Sequence, residues 1–361
     1  MIRFILFLIQ LLPPEISHFL TIKFLKLGFG QNFIKQSFNQ SPILKQFIWD
    51  LEFINPIGLA AGFDKNGEVI DQTLKLGFGF VEIGTVTPEP QYGNDKPRIF
   101  RLVKDQAIIN HLGFNNEGKD KVKNRLSKRK DDITSISGVL GLNIGKNSNT
   151  TDLSNDYTNC ILTLGPYVDY MVINISSPNT PGLRNLQNRG YLENLIISIK
   201  QNIKDDSILK NKPLLIKIAP DLDEEQKRDI ALTSLAQGIN GIIVSNTTLK
   251  RSDSLKDKNK NEIGGLSGKP LFLPSTLLLR EMYNLTGGKI PLIGVGGIST
   301  GKDVYEKIKA GASLVQLYTG LVFEGPQIIN NINKELYYLL RADGFNNISE
   351  AIGSDVLWKN Q

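Results

Sequence analysis

Eight short apolar runs, each followed by enough chain for a crossover, constrain this sequence more than any other feature. They fall at 56–61, 79–83, 139–144, 170–175, 214–218, 241–245, 292–295 and 314–317, and the segments 67–76, 116–130, 223–237, 274–285 and 300–310 between them read as helices. Runs this short and this rich in β-branched residues suit strands buried on both faces, joined in parallel by crossover helices. Eight such units close into a (β/α)8 barrel, the fold class expected here. With 361 residues, 40% of them apolar, the chain can build that barrel and carry additions. The expected division is an N-terminal helical region at 1–40, a barrel at 41–341 and a C-terminal tail at 342–361.

The N-terminal addition is unusually apolar. Residues 1–12, MIRFILFLIQLL, end at Pro13-Pro14, well short of the roughly 20 residues a spanning helix needs. A signal peptide starting at Arg3 is disfavoured, because no small-x-small cleavage site follows. From 14 to 27 the apolar positions Ile16, Phe19, Leu20, Ile22, Phe24, Leu25 and Leu27 recur at helical spacing, with Gly28 as a stop, and a second short helix is expected at 33–38. The wide apolar faces, with Lys23, Lys26 and Lys35, suit a membrane interface or a cap packed on the next domain, and one face can serve each. A short β-pair at 47–53 precedes the barrel.

Composition excludes some chemistry. A single cysteine, Cys160, rules out an internal disulfide, and two histidines, His18 and His111, leave no Cys/His cluster for zinc. The net charge of +6 and pI near 9.1 fit nucleic acid, an anionic membrane surface or a small anionic substrate, so position must decide. The charge-rich stretches 119–132 and 250–262 read as a solvated helix face and an exposed loop. No aromatics are interleaved there for base stacking, so nucleic-acid binding is not expected.

Barrels of this kind do their chemistry at the C-terminal ends of the strands, and polar residues collect there in this chain. The first run ends in Ala61-Gly62-Phe63-Asp64-Lys65, the second in Gly84-Thr85, the third in Asn143-Ile144-Gly145-Lys146. The fourth empties into ISSPNTPGLR, where Asn174, Ser176, Ser177 and Asn179 stand beside prolines that hold the backbone. The fifth carries Lys217 between isoleucines, a cation that needs an anion at the barrel mouth. The sixth runs out through Ser245-Asn246-Thr247-Thr248, the seventh through Gly294-Val295-Gly296-Gly297, and the eighth through Tyr318-Thr319-Gly320. Glycines at the last two addresses let backbone N–H groups approach a phosphate, so a phosphorylated cofactor such as FMN is expected. Asn110, Asn174, Asn179 and Asn246 match a ring of alternating N–H and C=O groups, and Lys65 can neutralise a carboxylate.

The segments GLAAGFDKNGE, GFGFVEIGTVTPEPQYGNDKPRIFRL, NHLGFNN, GLNIGKN, NISSPNTPGLRNLQ, IKIAPDL, SNTT, GGLSGKPL, IGVGGI and GASLVQLYTGL occur in order between about Pro14 and Glu324. Together they closely resemble dihydroorotate dehydrogenase of the quinone-linked, membrane-associated class. That resemblance implies oxidation of dihydroorotate to orotate in pyrimidine biosynthesis, with FMN in the barrel and a membrane quinone as acceptor. Position by position it makes Ser177 the base that removes the C5 proton. It places substrate at Lys65, Asn110, His111, Leu112, Gly113, Phe114, Asn174, Asn179, Asn246 and Thr247. It places FMN at Ala61, Gly62, Phe63, Asp64, Lys65, Thr85, Asn143, Asn174, Lys217, Ser245, Gly268, Gly297, Tyr318 and Thr319. His18, Arg101 and Tyr318 match the quinone passage. Ser245 stands where threonine is common in relatives, and His111 where an arginine is usual.

A serine is a weak base at neutral pH, so Ser177 needs a proton route and the concurrent loss of hydride. The soluble class of the family uses cysteine instead; Cys160, before the fourth strand, reads as packed on a helix. Other flavin barrels and a non-catalytic membrane-surface protein are the rival readings, and a colourless purified protein would mark the last. No metal is expected. No oligomeric state is fixed by the sequence, a monomer being compatible with it. The absence of a long Arg/Ser-rich presequence favours a peripheral position on the cytoplasmic face of a bacterial inner membrane over the mitochondrial one.

Overall fold

The β-branched runs pair edge to edge in a computed structural model that describes residues 9–28, 41–131 and 138–356. Eight of them close a barrel: β1 (Ile57–Leu59), β2 (Phe80–Val86), β3 (Val139–Ile144), β4 (Tyr170–Asn174), β5 (Leu214–Ile218), β6 (Gly241–Val244), β7 (Leu292–Val295) and β8 (Ala312–Leu317). Neighbours are parallel and consecutive, with β8 joined to β1. All of these strands are buried almost throughout, which explains why their sequences run apolar without strict alternation.

The crossover helices begin where the sequence supplies caps. Asp223 and Thr300 each form a capping box, at the starts of helices Glu224–Ala236 and Gly301–Lys309. Cys160 is buried on helix Leu153–Leu164, as its sequence setting implied.

One end of the barrel is plugged. The antiparallel pair Gln46–Ile48 and Leu51–Phe53 delivers Phe53 edge-on to Phe80, ring centroids 5.3 Å apart, and Trp49 against Tyr170. Space for those rings comes from glycines: a Cβ on Gly58 would stand 2.2 Å from the Phe80 ring, and one on Gly141 2.1 Å from the Tyr170 ring. The interior layer of Phe80, Tyr170, Val172, Leu215, Ile243, Ile293 and Leu314 is thereby closed from below, leaving the C-terminal mouth as the open end.

Two additions cover that mouth. A three-stranded antiparallel sheet, Ile99–Leu102, Ala107–Asn110 and Gly265–Gly268, lies over one side. Helix α1 (Pro14–Lys26) packs on strand Ile99–Leu102 and on helix Ile70–Lys75. It buries Ser17, Ile22 and Leu25 and leaves Ile16, Phe19, Phe24 and Leu27 exposed, so its apolar surface does have two sides. The helix expected at 33–38 lies outside the described residues.

The charged stretches are a solvated helix face and a mostly exposed loop, as expected, each with a buried apolar anchor. Helix Lys119–Asp131 buries Val122 and Leu126 beneath its charged surface, and the 250–262 segment buries Leu255 while Asp105 accepts the backbone N–H groups of Lys256 and Asp257. Beyond helix Ile328–Ala342 the chain returns to the barrel wall, where Gly353 N donates to Ile308 O at 3.0 Å.

Candidate functional site

The floor of the open end is built around one carboxylate. Glu82 points inward from the middle of β2 with none of its surface exposed, and accepts from Asn143 Nδ2 (2.8 Å), Tyr170 OH (3.1 Å) and Gln316 Nε2 (2.6 Å). Three neutral donors from three other strands hold this carboxyl group, and no cation contacts it among the described residues. Above it, Asn174 Nδ2 donates to Thr85 Oγ1 at 3.1 Å and Asn143 Oδ1 at 3.0 Å, while Thr85 Oγ1 donates to Asn143 Oδ1 at 2.6 Å.

The loop after β4 continues this network toward the mouth. Ser176 Oγ donates to Asn174 Oδ1 at 2.8 Å and accepts from Asn246 Nδ2 at 2.9 Å, which fixes both amides. Ser177 Oγ accepts the Asn179 N–H at 3.2 Å, and Asn179 Nδ2 donates to Asn110 O at 3.0 Å. Arg184 holds the loop from outside, donating to Ser176 O (3.1 Å), Thr247 O (3.0 Å) and Asp221 (2.9 Å). Ser177 is 5% exposed, lines the cavity, and its hydroxyl proton has no acceptor among the described residues.

Two cations converge on the same space. Lys217 is buried, with no hydrogen bond or ion pair among the described residues; burial lowers its pKa, and Glu82 opposes the shift. Lys65, half-buried, is pushed down to about 8 by burial and then by the Arg98 guanidinium. In the same cavity, the backbone N–H groups of Gly296, Gly297, Thr319 and Gly320 donate to no protein acceptor among the described residues. A buried cation and a set of free N–H groups lining one cavity fit a phosphorylated cofactor such as FMN.

The cavity extends from this floor to α1, about 610 Å3 in all. At its far end His18 meets Phe63 edge-on at 5.4 Å, and Phe63 meets Tyr318 at 5.7 Å. Burial, and then the Lys65 ammonium, pushes the imidazole of His18 down to about 3. Arg101 Nη1 donates to the carbonyls of Gln10 and Leu12, at 2.8 and 2.7 Å, and so ties the segment just before α1 to the small sheet.

Most of the residues singled out in the sequence line this one cavity. They are Ala61, Gly62, Phe63, Lys65, Thr85, Asn110, Leu112, Gly113, Phe114, Asn174, Ser177, Asn179, Lys217, Ser245, Asn246, Thr247, Gly268, Gly297, Tyr318 and Thr319, with His18 and Arg101 at the helix end. Three do not reach it. His111 turns away, stacking on Phe100 with its Nδ1 2.9 Å from Ile263 O, because adjacent residues of an extended segment face opposite sides and Asn110 takes the inward one. Asp64 binds the N–H groups of Glu68 and Val69, each at 2.8 Å, and shapes the loop. Asn143 lies fully buried behind Thr85 and Asn174. Sequence reading missed Glu82, Gln316 and Ser267; the last bonds Thr319 Oγ1 at 2.8 Å. A carboxylate inside an otherwise apolar strand was the available signal for Glu82.

Residues 43–340 match the family model described as dihydroorotate dehydrogenase. The dihydroorotate dehydrogenase (quinone) of Xanthobacter autotrophicus is 48% identical over 352 residues, covering 97% of each chain. The mitochondrial dihydroorotate dehydrogenase (quinone) of Mus musculus is 48% identical over 350 residues, covering 96% of this chain and 88% of that one. Among solved structures, the Eimeria tenella DHODH in complex with ferulenol superposes with a TM-score of 0.89 at 43% identity, covering 95% of each chain.

Proposed function

Since the chain belongs to the dihydroorotate dehydrogenase family, we propose that it oxidises dihydroorotate to orotate in pyrimidine biosynthesis, with Ser177 as base, and that the electrons leave toward a quinone at α1. The observation that carries this reading is the continuity of one cavity from Ser177 and Lys217 to His18 and Arg101. In this reading the donor and acceptor ends of an electron path share a single cavity.

The division of labour follows from the contacts. The free N–H groups of Gly296, Gly297, Thr319 and Gly320 would take the FMN phosphate, and Lys217 would sit against its ring. When bound, FMN supplies the acceptor for the hydride that leaves C6 of dihydroorotate. Ser177 takes the C5 proton, so that the C5–C6 double bond forms as both hydrogens depart. Asn179 N–H fixes the Ser177 oxygen, and the amides of Asn110, Asn174, Asn179 and Asn246 meet the ring N–H and C=O groups. Lys65 neutralises the substrate carboxylate. The loop prolines, the small sheet and Arg184 exclude water from the proton transfer.

Quinone-linked relatives are membrane-associated, and no described helix is long and apolar enough to cross a bilayer. In this reading residues 1–40 form a membrane and quinone-access region, 41–341 the FMN barrel and 342–361 a tail. The exposed Ile16, Phe19, Phe24 and Leu27, with Lys23 and Lys26 beside them, support attachment to an anionic membrane surface. The test is anaerobic mixing of the yellow protein with dihydroorotate, then with quinone: bleaching followed by recovery is expected. A colourless protein, or a flavin that dihydroorotate leaves oxidised, would overturn the reading.

A further inference from the structure

One buried cation has no part in this chemistry. Lys307, on helix Gly301–Lys309, has no exposed surface and lies in register with the buried Val304 and Ile308. Its Nζ donates to Ser275 Oγ at 2.9 Å and Thr276 Oγ1 at 3.0 Å, on the facing helix Phe272–Thr286, and stands 5.0 Å from the centroid of the Phe272 ring. Among the described residues no carboxylate contacts it. Asp303 is engaged in the cap of its own helix, and Glu306 lies 3.9 Å from Lys302. Two neutral hydroxyls do not compensate a full charge taken out of water. Burial pushes this ammonium down to about 7, with Asp303 and Glu306 opposing the shift.

Between this cation and the cavity runs the end of β7, Gly294–Gly297, where only Val295 carries a side chain. A Cβ on Gly294 would stand 3.2 Å from Lys307 Cδ, one on Gly296 2.7 Å from Ser275 Oγ, and one on Gly297 2.4 Å from Phe272 Cβ. Ser275 Oγ also lies 3.4 Å from Gly296 O. On the cavity side, the N–H groups of Gly296 and Gly297 have no protein acceptor among the described residues. The buried Lys307 amine therefore stands behind the same cavity-lining loop whose N–H groups lack a protein acceptor.

We propose that Lys307 is a positioning residue for the phosphate of the cofactor, supplying counter-charge through the Gly294–Gly297 layer and, through Ser275, holding the loop whose N–H groups receive the phosphate oxygens. The proposal rests on the FMN reading of the cavity. It selects the ligand by chemistry: a flavin phosphate gains from the buried charge, whereas the same flavin without phosphate does not. Removing the charge therefore changes discrimination between the two, which a purely structural tie between helices would leave alone.

Riboflavin shares the ring and ribityl chain of FMN and lacks the phosphate, so the two are the probes. Their affinities for the flavin-stripped full chain are read from fluorescence quenching. Lys307→Gln, which can still donate to Ser275 and Thr276, should lower the FMN-to-riboflavin affinity ratio about tenfold, the scale of a partly screened charge pair. Lys307→Met should lower it at least as far, and the pair guards against misfolding of either variant. Variants that weaken both flavins equally, or that keep the wild-type ratio, overturn the proposal. A wild-type chain that takes up neither flavin overturns the FMN reading itself, so the two failures are told apart.

Discussion

The two ends of the cavity are held in opposite ways. At the Ser177 end every amide is cross-braced: Asn174, Asn143, Thr85, Ser176 and Asn246 form one chain of side-chain hydrogen bonds anchored on four strands or their outgoing loops. At the α1 end the wall is largely apolar, and a few polar pins attach it: Glu15 to Arg98, Lys26 to Glu68 and, just before the helix, Gln10 to the carbonyl of Val322 and Arg101 to the carbonyls of Gln10 and Leu12. A network braced from several strands fixes atoms to within tenths of an ångström, as proton and hydride transfer require. A helix held by few pins is the part of a fold that opens at low free energy, which suits the admission of a large apolar ligand.

The sharpest break of that comparison removes one oxygen at the rigid end. Ser177→Ala should keep bound FMN while flavin reduction by dihydroorotate falls roughly 10² to 10⁴-fold, the usual contribution of a general base. Stopped-flow reduction at near wild-type speed in a yellow variant would move the base elsewhere, with Ser176 the next candidate. At the other end, deleting residues 1–38, or changing His18 and Arg101 together to alanine, should spare flavin reduction and slow reoxidation by long-chain quinone on the order of 10²-fold, the scale of a misplaced reactant. The deletion should also release the protein from membranes. Because burial holds His18 neutral down to about pH 3, quinone reoxidation should show no imidazole titration near the ordinary value.

The rigid end was also the legible one. Strands announce themselves by short β-branched runs, and a polar residue at the end of such a run has few places to point but the mouth; Asn174, Lys217 and Asn246 were readable on that ground alone. Orientation within irregular segments was less so. His111 and Asn110 are neighbours, and only the pairing of Asn110 with Ile99 and Gly265 decides which faces inward. The strand Gly265–Gly268 has low intrinsic β-preference and pairs with a segment far away in the chain, so nothing local marks it. Lys307 looks in sequence like any helix-face lysine; its burial depends on two hydroxyls supplied by a different helix.

The next effect joins the two ends through Lys65. With its ammonium pushed down to about 8, the charged form that binds a carboxylate is present below that pH and lost above it. The KM for dihydroorotate should therefore rise toward about tenfold per pH unit above the transition, with the quinone half-reaction unaffected. In Lys65→Met the KM should already be high at neutral pH and its dependence on pH should flatten. A wild-type KM that stays level through pH 9 would mean that the carboxylate is held by neutral donors instead.

The smallest effect tests whether α1 is as loosely held as its contacts suggest. Glu15 donates no proton to this interface; its carboxylate accepts from Arg98 Nη2 at 2.6 Å, with Lys96 at 3.4 Å, while Arg98 also donates to the carbonyl of Asn94 at 2.8 Å. Burial alone would raise the pKa of Glu15, but the Arg98 guanidinium and then Lys96 hold it below the usual carboxylate value. A carboxylate with a depressed pKa stabilises the docked helix above its unfolded pKa, and that contribution is lost as pH falls through the folded one. Glu15→Gln removes the charge at all pH values and leaves Arg98 its backbone acceptors, so the expected cost is about 1 kcal/mol of docking, roughly fivefold in the open population. Protease cleavage within α1 should quicken by that factor, and the acid sensitivity of cleavage expected of the parent chain should disappear, while dihydroorotate reduction of the flavin stays unchanged. If cleavage of α1 proves as slow in Glu15→Gln as in the parent, the apolar contacts of Ile22 and Leu25 hold the helix by themselves, and the contrast between a braced end and a pinned end fails.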